Sequence, residues 1–338
     1  MNIFDFHKTI INTSTDYLKK ISAFNPLTIH KKGTKAKAFF ALTLVCIFWG
    51  TTWVASKQGV KGMPALQMAG IRQFIAGIIY IGYFIYKKAP FPKGKEWIPV
   101  IILSILNFIL SNGLSTLALE YHVTAGLAAI IGAIFPLWLV VIGLFASKEK
   151  MPALAIVGLI LGFAGVCIIF AEHLHDFGNP AFRLGILFSL LATWTWAFAT
   201  LYTKKQAASF NPYFSLGLQM AIAGVALFSF THVNGTAISL QAIPWESWAS
   251  IAFLVIFGSL IAFVCYLYAL QKLPTEQASL YAYVNPMVAV LCGSLFFNDP
   301  ITIYITIGGI VTLIGVYLVN KAFKSNVPAP EQPEAEGV

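Results

Sequence analysis

Seven hydrogen-bonding side chains, set in otherwise apolar sequence, are where this chain could do chemistry. Ser104, Asn107, Ser111 and Ser115 recur at spacings of three, four and four, which places them on one face of a helix. Gln277, Tyr281 and Asn285 recur four apart on another. Amides and hydroxyls in such rows can hold a polar small molecule, or bind neighbouring helices to one another in lipid; at the level of sequence both roles stay open. Arg72 is the one basic residue inside an apolar run, eight residues past Pro64. An arginine there must snorkel or pair. Glu120 is the expected partner, and a substrate carboxylate is the alternative.

Aromatic side chains supply the apolar part of the same chemistry. Trp49 and Trp53 lie four apart, Trp194 and Trp196 share a later run, and Tyr266 lies in another. Amphipathic rings of this kind can wall a cavity for a neutral, zwitterionic or aromatic small molecule. A phosphate carrier would need several inward cations. Pro136 and Pro286 each remove a backbone donor and free a carbonyl one turn earlier, which suits a gate or a static kink. The spacing predicts that Asn285, beside Pro286, contacts substrate directly.

No acidic residue lies deep in an apolar run; Glu120 and Glu276 sit at the margins. Proton coupling would need one of them drawn inward, since a desolvated carboxylate is the usual proton carrier; otherwise the protein equilibrates its cargo. No HExxH, no Ser/Lys or Asp pair and no GxGxxG occurs in these runs, so the chain reads as a non-enzyme needing no cofactor. Glu172-His173-Leu174-His175-Asp176 fits no strong metal spacing, and no metal site is expected.

The positioning elements follow from composition. The 338 residues are 58% hydrophobic and 10% charged, with mean hydropathy +0.77, against roughly 25% charged residues in a soluble domain. Ten runs are long enough to cross a bilayer, near 38–58, 65–86, 97–118, 122–146, 152–171, 183–203, 212–232, 247–270, 275–297 and 300–321. They do not alternate as barrel strands do. Cys46, Cys167, Cys265 and Cys292 fall inside such runs as small packing residues. Residues 1–37 carry apolar positions at helical spacing among lysines and suit a tail or a helix lying on the inner leaflet. The Pro- and Glu-rich residues 322–338 read as a disordered tail.

The +9 formal charge points to lipid rather than nucleic acid, because eighteen of the 22 basic residues gather on one side of the spans. That places both termini in the cytoplasm. The chain also repeats itself at an offset of 150. Ala128, Pro136, Val140, Gly143, Gly158, Ile160, Gly165 and Val166 recur as Ala278, Pro286, Val290, Gly293, Gly308, Ile310, Gly315 and Val316, and Glu149 answers to Asp299. Two five-span units, residues 38–171 and 183–321, flank an outer (periplasmic) linker at 172–182. Five is odd, so the second copy is inverted. Inverted repeats mark secondary carriers that hold substrate near the midplane between halves. Gly158, Gly162 and Gly165, echoed by Gly308, Thr312 and Gly315, allow close helix packing, internally or in a dimer; monomer and homodimer both fit.

Phe48-Trp49-Gly50-Thr51 in the first span, Trp196-Ala197 at the equivalent place in the sixth, and Pro64 to Arg72 opening the second resemble the drug/metabolite transporter superfamily, EamA type. Ala118 to Ala129 and Ala269 to Ser279 are similar to its helix-turn-helix links, each followed by a span with a central proline. The resemblance covers about residues 39–321. It implies an all-α polytopic inner-membrane protein of ten helices, with a cavity lined by spans 1, 3, 4, 6, 8 and 9, and export as the direction. The expected function is alternating-access transport of a small amphipathic metabolite such as an amino acid. An uptake carrier is the main alternative, with a channel or scaffold behind it.

Overall fold

The computed structural model describes residues 34–146, 152–172, 174–206, 211–273 and 281–324. No strand occurs among the described residues. The first half holds α1 (Thr34–Gly59), α2 (Ala65–Tyr86), α3 (Trp97–Leu103, Ser104–Asn112 and Gly113–Glu120 in one pass), α4a (Ala125–Ala133), α4b (Phe135–Ala146) and α5 (Ala153–Glu172). The second holds α6 (Pro180–Gln206), α7 (Pro212–Val233), α8 (Trp245–Phe253, Leu254–Ile261 and Ala262–Lys272), α9 (Tyr281–Phe297) and α10 (Ile303–Lys324). Seven of these passes are long and apolar enough to cross a bilayer, and three shorter apolar helices, Ala125–Trp138, Val284–Phe297 and Ile303–Val319, make the remaining ones. The ten-helix, all-α membrane architecture therefore stands. Of the tail or interfacial helix expected over residues 1–37, residues 34–37 instead open α1, while residues 1–33, the tail beyond Lys324, and Gln277 lie outside the described residues.

Helix starts in a bilayer cannot leave their first N–H groups to water, so side chains take them. Asn211 Oδ1 accepts from Tyr213 N and Phe214 N ahead of α7, with Pro212 in the first turn. Thr124 Oγ1 accepts from Leu127 N at α4a, and Thr302 Oγ1 from Ile305 N at α10. Glu120 caps from a distance: its Oε2 accepts from Ala65 N, the first residue of α2, at 2.8 Å. Lys57 Nζ donates to Leu119 O (2.7 Å) and Val123 O (3.0 Å), closing the α3–α4a link.

Two glycine seams fix the halves together in matching fashion. A Cβ on Gly165 would come 2.6 Å from Gly308 O, and one on Gly315 would come 2.3 Å from Gly162 N. The α5–α10 backbones therefore touch, so this glycine set serves internal packing. The α2–α7 seam is the counterpart, where a Cβ on Gly77 would meet Ala221 N at 2.4 Å and one on Gly224 would meet Phe74 N at 2.4 Å. Large aliphatic side chains such as Ile160, Leu291 and Ile310 remain exposed on the outer surface, as lipid-facing residues should.

The third and eighth passes share an unexpected local form. Ser104–Asn112 and Leu254–Ile261 are π-helical, and their first residues are 150 apart, the same offset as the sequence repeat. Such wide turns are rare, and they place carbonyls off the regular ladder. Trp49 Nε1 donates to Gly258 O at 3.2 Å, and Tyr80 Oη donates to Ser259 O and Leu260 O at 3.1 Å each. The duplication thus extends to backbone geometry at mid-span.

Candidate functional site: a cavity between the halves

A cavity of ≈ 170 Å³ lies between the two halves, walled by α1, α2, α3, α4a and the start of α4b from the first and by α6, α8 and α9 from the second. At 10–15 Å³ for each enclosed water, this is room for roughly a dozen waters or one small metabolite. The polar row of α3 faces it. Asn107, Ser111 and Ser115 line the wall, while Ser104 is fully buried with its Oγ donating to Gln219 O at 2.8 Å. Asn107 Nδ2 also reaches Gln219 Oε1 at 3.3 Å, so one amide both lines the cavity and ties α3 to α7.

The α3 wall also holds residues that sequence reasoning missed. An α-helix would return to the cavity every three or four residues. Asn112, eight residues past Ser104 and held by Gln73 Nε2 donating to its Oδ1 at 3.0 Å, keeps that period and lines the cavity, as does Thr116 four residues on. Thr52, Ser56, Ser189 and Thr193 complete the polar lining. Thr52 and Ser56 lie on the Trp49-bearing face of α1 at intervals of three and four, a signal that the helical period itself contained.

Trp49, Trp53 and Trp196 line the cavity as expected. Trp53 lies across Gly132, where a Cβ would come 3.3 Å from its ring. Trp49 sits among Trp196, Phe263, Tyr266 and Tyr281, with centroids between 5.0 and 6.1 Å apart. Trp49, Trp196, Tyr266 and Tyr281 join Val45, Cys46, Phe135 and Ala282 in a close-packed cluster toward the end at which α1 begins, while Phe263 belongs to the neighbouring cluster around Phe108. Tyr266 belongs to that cluster and is absent from the lining, because Trp49 and Tyr281 stand in front of it. Trp194 is 42% exposed on the outer face and packs on Phe198.

Asn285 and Pro286 both line the cavity. With the amide oriented by its neighbours, Asn285 Nδ2 donates to Cys46 O at 3.0 Å and Tyr281 O at 3.1 Å, bracing α9 against α1. Gly50, beside Trp49, permits the approach: a Cβ there would come 2.5 Å from Val288 Cβ. Pro286 lies inside α9 and deprives the Ala282 carbonyl of its i+4 donor, at a residue that also lines the cavity. Pro136 does not line it; its neighbour Phe135 does.

The expected Arg72–Glu120 pair does not form. Arg72 is 5% exposed, lines the cavity, and donates from Nε to Ser259 Oγ at 3.0 Å, whereas Glu120 is engaged by Ala65 N. Glu120 turns back to the start of α2, and Arg72 lies about two turns, or roughly 10 Å, further along that helix. Capping took the carboxylate that pairing would have used.

Two inverted five-helix bundles around a polar and aromatic cavity define a polytopic membrane transporter, and the comparisons agree. The profile of the EamA-like transporter family matches residues 36–171 and again 183–321. The chain belongs to that family. It is 31% identical over 258 residues to the inner membrane transporter YedA of Escherichia coli, covering 76% of this chain and 81% of that one. It is 27% identical over 302 residues to the transporter YvbV of Bacillus subtilis, covering 88% and 96%. A WAT1-related chloroplastic protein of Arabidopsis thaliana is 26% identical over 279 residues, covering 81% of this chain and 67% of its own. None of these names specifies a cargo. One solved crystal structure superposes with TM-score 0.61 at 16% identity, covering 84% of this chain and 97% of that chain, which speaks for the fold.

Proposed function

We propose that the protein is a secondary carrier that moves a small amphipathic metabolite, an amino acid or related compound, outward across the inner membrane by alternating access. The observation that carries this reading is the ≈ 170 Å³ cavity lined by both inverted halves and backed on one side by packed aromatic rings. A pocket shared by two antiparallel bundles can be exposed to either face as one bundle rocks on the other. With both termini cytoplasmic, the ring cluster around Trp49 and Tyr281 is the inner gate. Pro286 supplies its flexible backbone and Pro136 that of the equivalent pass. Trp53, Asn107, Ser111 and Asn285 form the contact surface for cargo, with Tyr281 as its floor. The site offers hydrogen bonds and ring faces in place of reactive groups, which favours carriage over catalysis.

Counterflow tests this. Proteoliposomes containing the purified chain and preloaded with unlabelled amino acids accumulate labelled amino acid transiently, with saturable kinetics. Trp53→Ala slows that counterflow by about tenfold while gel filtration shows a folded protein, a loss on the scale of one buried contact residue. Wild-type rates in Trp53→Ala would remove the cavity from the transport path, and non-saturable flux would make the protein a channel.

A further inference from the structure

Arg72 is a buried guanidinium with too little company. Its side chain is 5% exposed, and among the described residues its polar partner is a neutral hydroxyl, Ser259 Oγ, at 3.0 Å from Nε. No carboxylate faces it among the described residues: Glu120 is held by Ala65 N, Glu172 by Thr302 Oγ1, and Asp299 lies beside Lys57 and Lys61 at the α9–α10 turn. Among the described residues that line the cavity it is the single ionisable group apart from Tyr281. Burying a cation is costly unless a counter-charge and further hydrogen bonds offset it. The protein's own residues described here provide one hydroxyl.

The surroundings hold the group in place and keep its end free. Ser259 sits in the π-helical part of α8, where the side chain takes Nε. Gly258 precedes it, and a Cβ there would come 3.0 Å from Nη2, so the missing side chain is what clears space around the fork. With Nε engaged, the terminal nitrogens are the donors left for the cavity. A planar fork with two parallel donors matches a carboxylate, and one guanidinium without a second cation suits a single negative charge better than a phosphate. Trp53 and Trp196 line the same cavity and suit an apolar or aromatic body.

We infer that Arg72 is the anion-recognition residue of the cavity and that the cargo carries a carboxylate on a small apolar or aromatic body. The inference rests on the carrier reading of the cavity and names the class of cargo within it. Ser259 and Gly258 are positioning residues that aim the guanidinium.

Four probes with one ring and different head groups test it: 3-phenylpropanoate, phenylalanine, 3-phenylpropanamide and phenethylamine, each titrated against tryptophan fluorescence of the full chain in detergent. The carboxylate and the zwitterion bind, and the amide and the amine bind about tenfold or more weakly, the scale of a charge-assisted hydrogen bond. Arg72→Gln removes the preference for the carboxylate over the amide, and Arg72→Lys restores part of it. Should Arg72→Gln fail to fold, Ser259→Ala narrows the same preference by several-fold without touching the charge. Equal binding of amide and carboxylate, an unchanged preference in the variants, or binding by none of the four overturns the assignment. The carrier reading is judged separately by saturable counterflow, so either can fail alone.

Discussion

Residues 135–136 and 285–286 occupy the same place in the two copies, and each pair ends in a proline, yet the helices around them differ. In the first copy the pass stops at Ala133, turns through Ile134, and restarts as α4b at Phe135. Pro136 then stands in the first turn of a new helix, where a missing N–H costs little. In the second copy α9 runs from Tyr281 to Phe297 straight through Pro286. The residue before the proline separates the two cases. Asn285 donates to both Tyr281 O and Cys46 O, bracing the interrupted helix on α1. Phe135 has no donor; it stacks on Tyr281 instead, with centroids 5.8 Å apart and planes at 13°. Both residues meet the same tyrosine, one through its backbone and one through its ring. A shared proline marks the same place in both halves, and the residue before it differs together with the helix around it.

Exchanging those neighbours tests the contrast. Phe135→Asn is expected to have the largest effect on stability, a loss of about 3 kcal/mol as a buried ring and its stack are removed, measured by denaturation in detergent. Asn285→Phe removes two hydrogen bonds, a loss of about 2 kcal/mol, and puts a ring into the cavity, abolishing counterflow. If either exchange left stability unchanged, the account of the two passes would be wrong. Replacing the prolines sharpens the comparison. Pro286→Ala returns a donor to the Ala282 carbonyl, adding about 1 kcal/mol of stability while slowing transport several-fold. Pro136→Ala changes stability by less than about 0.5 kcal/mol, because its position needs no donor.

The smallest effect concerns Asp299, the acid in the turn between α9 and α10. Burial pushes the Asp299 carboxyl above the usual carboxylate range, against the pull of Lys57 and Lys61. A raised carboxyl pKa means the folded chain holds the proton more tightly than the unfolded chain does. Stability therefore falls as pH rises through that range and returns on acidification. Asp299→Asn flattens the slope in melting curves taken upward in pH from the ordinary carboxylate range. An unchanged slope would assign it to other groups.

The passes were legible because lipid leaves a helix little choice: some twenty apolar residues, basic ends and an internal repeat survive in one sequence. Trp49, Trp53, Asn107, Ser111, Trp196, Tyr281 and Asn285 stand out in the sequence as candidate lining residues, with helix packing left open for the polar ones, and each lines the cavity. What escaped was non-local or lacked a residue signature. The partner of Arg72 is 187 positions away, and nothing near Ser259 advertises it. Glu120 looked like a counter-charge and is a cap for another helix. The wide turns in α3 and α8 need no special residue and leave no mark in the sequence, whereas Asn112, eight residues past Ser104, was within reach of the helical period. Tyr266 has the composition of a lining residue and the position of one behind it.

The proposed function requires that each face of the membrane reach the pocket between the halves in turn. Ser115 lines that pocket on α3, and in a background with Cys46, Cys167, Cys265 and Cys292 replaced, Ser115→Cys can be challenged with a membrane-impermeant thiol reagent in right-side-out and in inverted vesicles. The account predicts labelling from both faces, each slowed by cargo, while Val316→Cys in the buried α5–α10 seam stays unlabelled from either. Labelling of Ser115→Cys from one face only, or from neither, would contradict it.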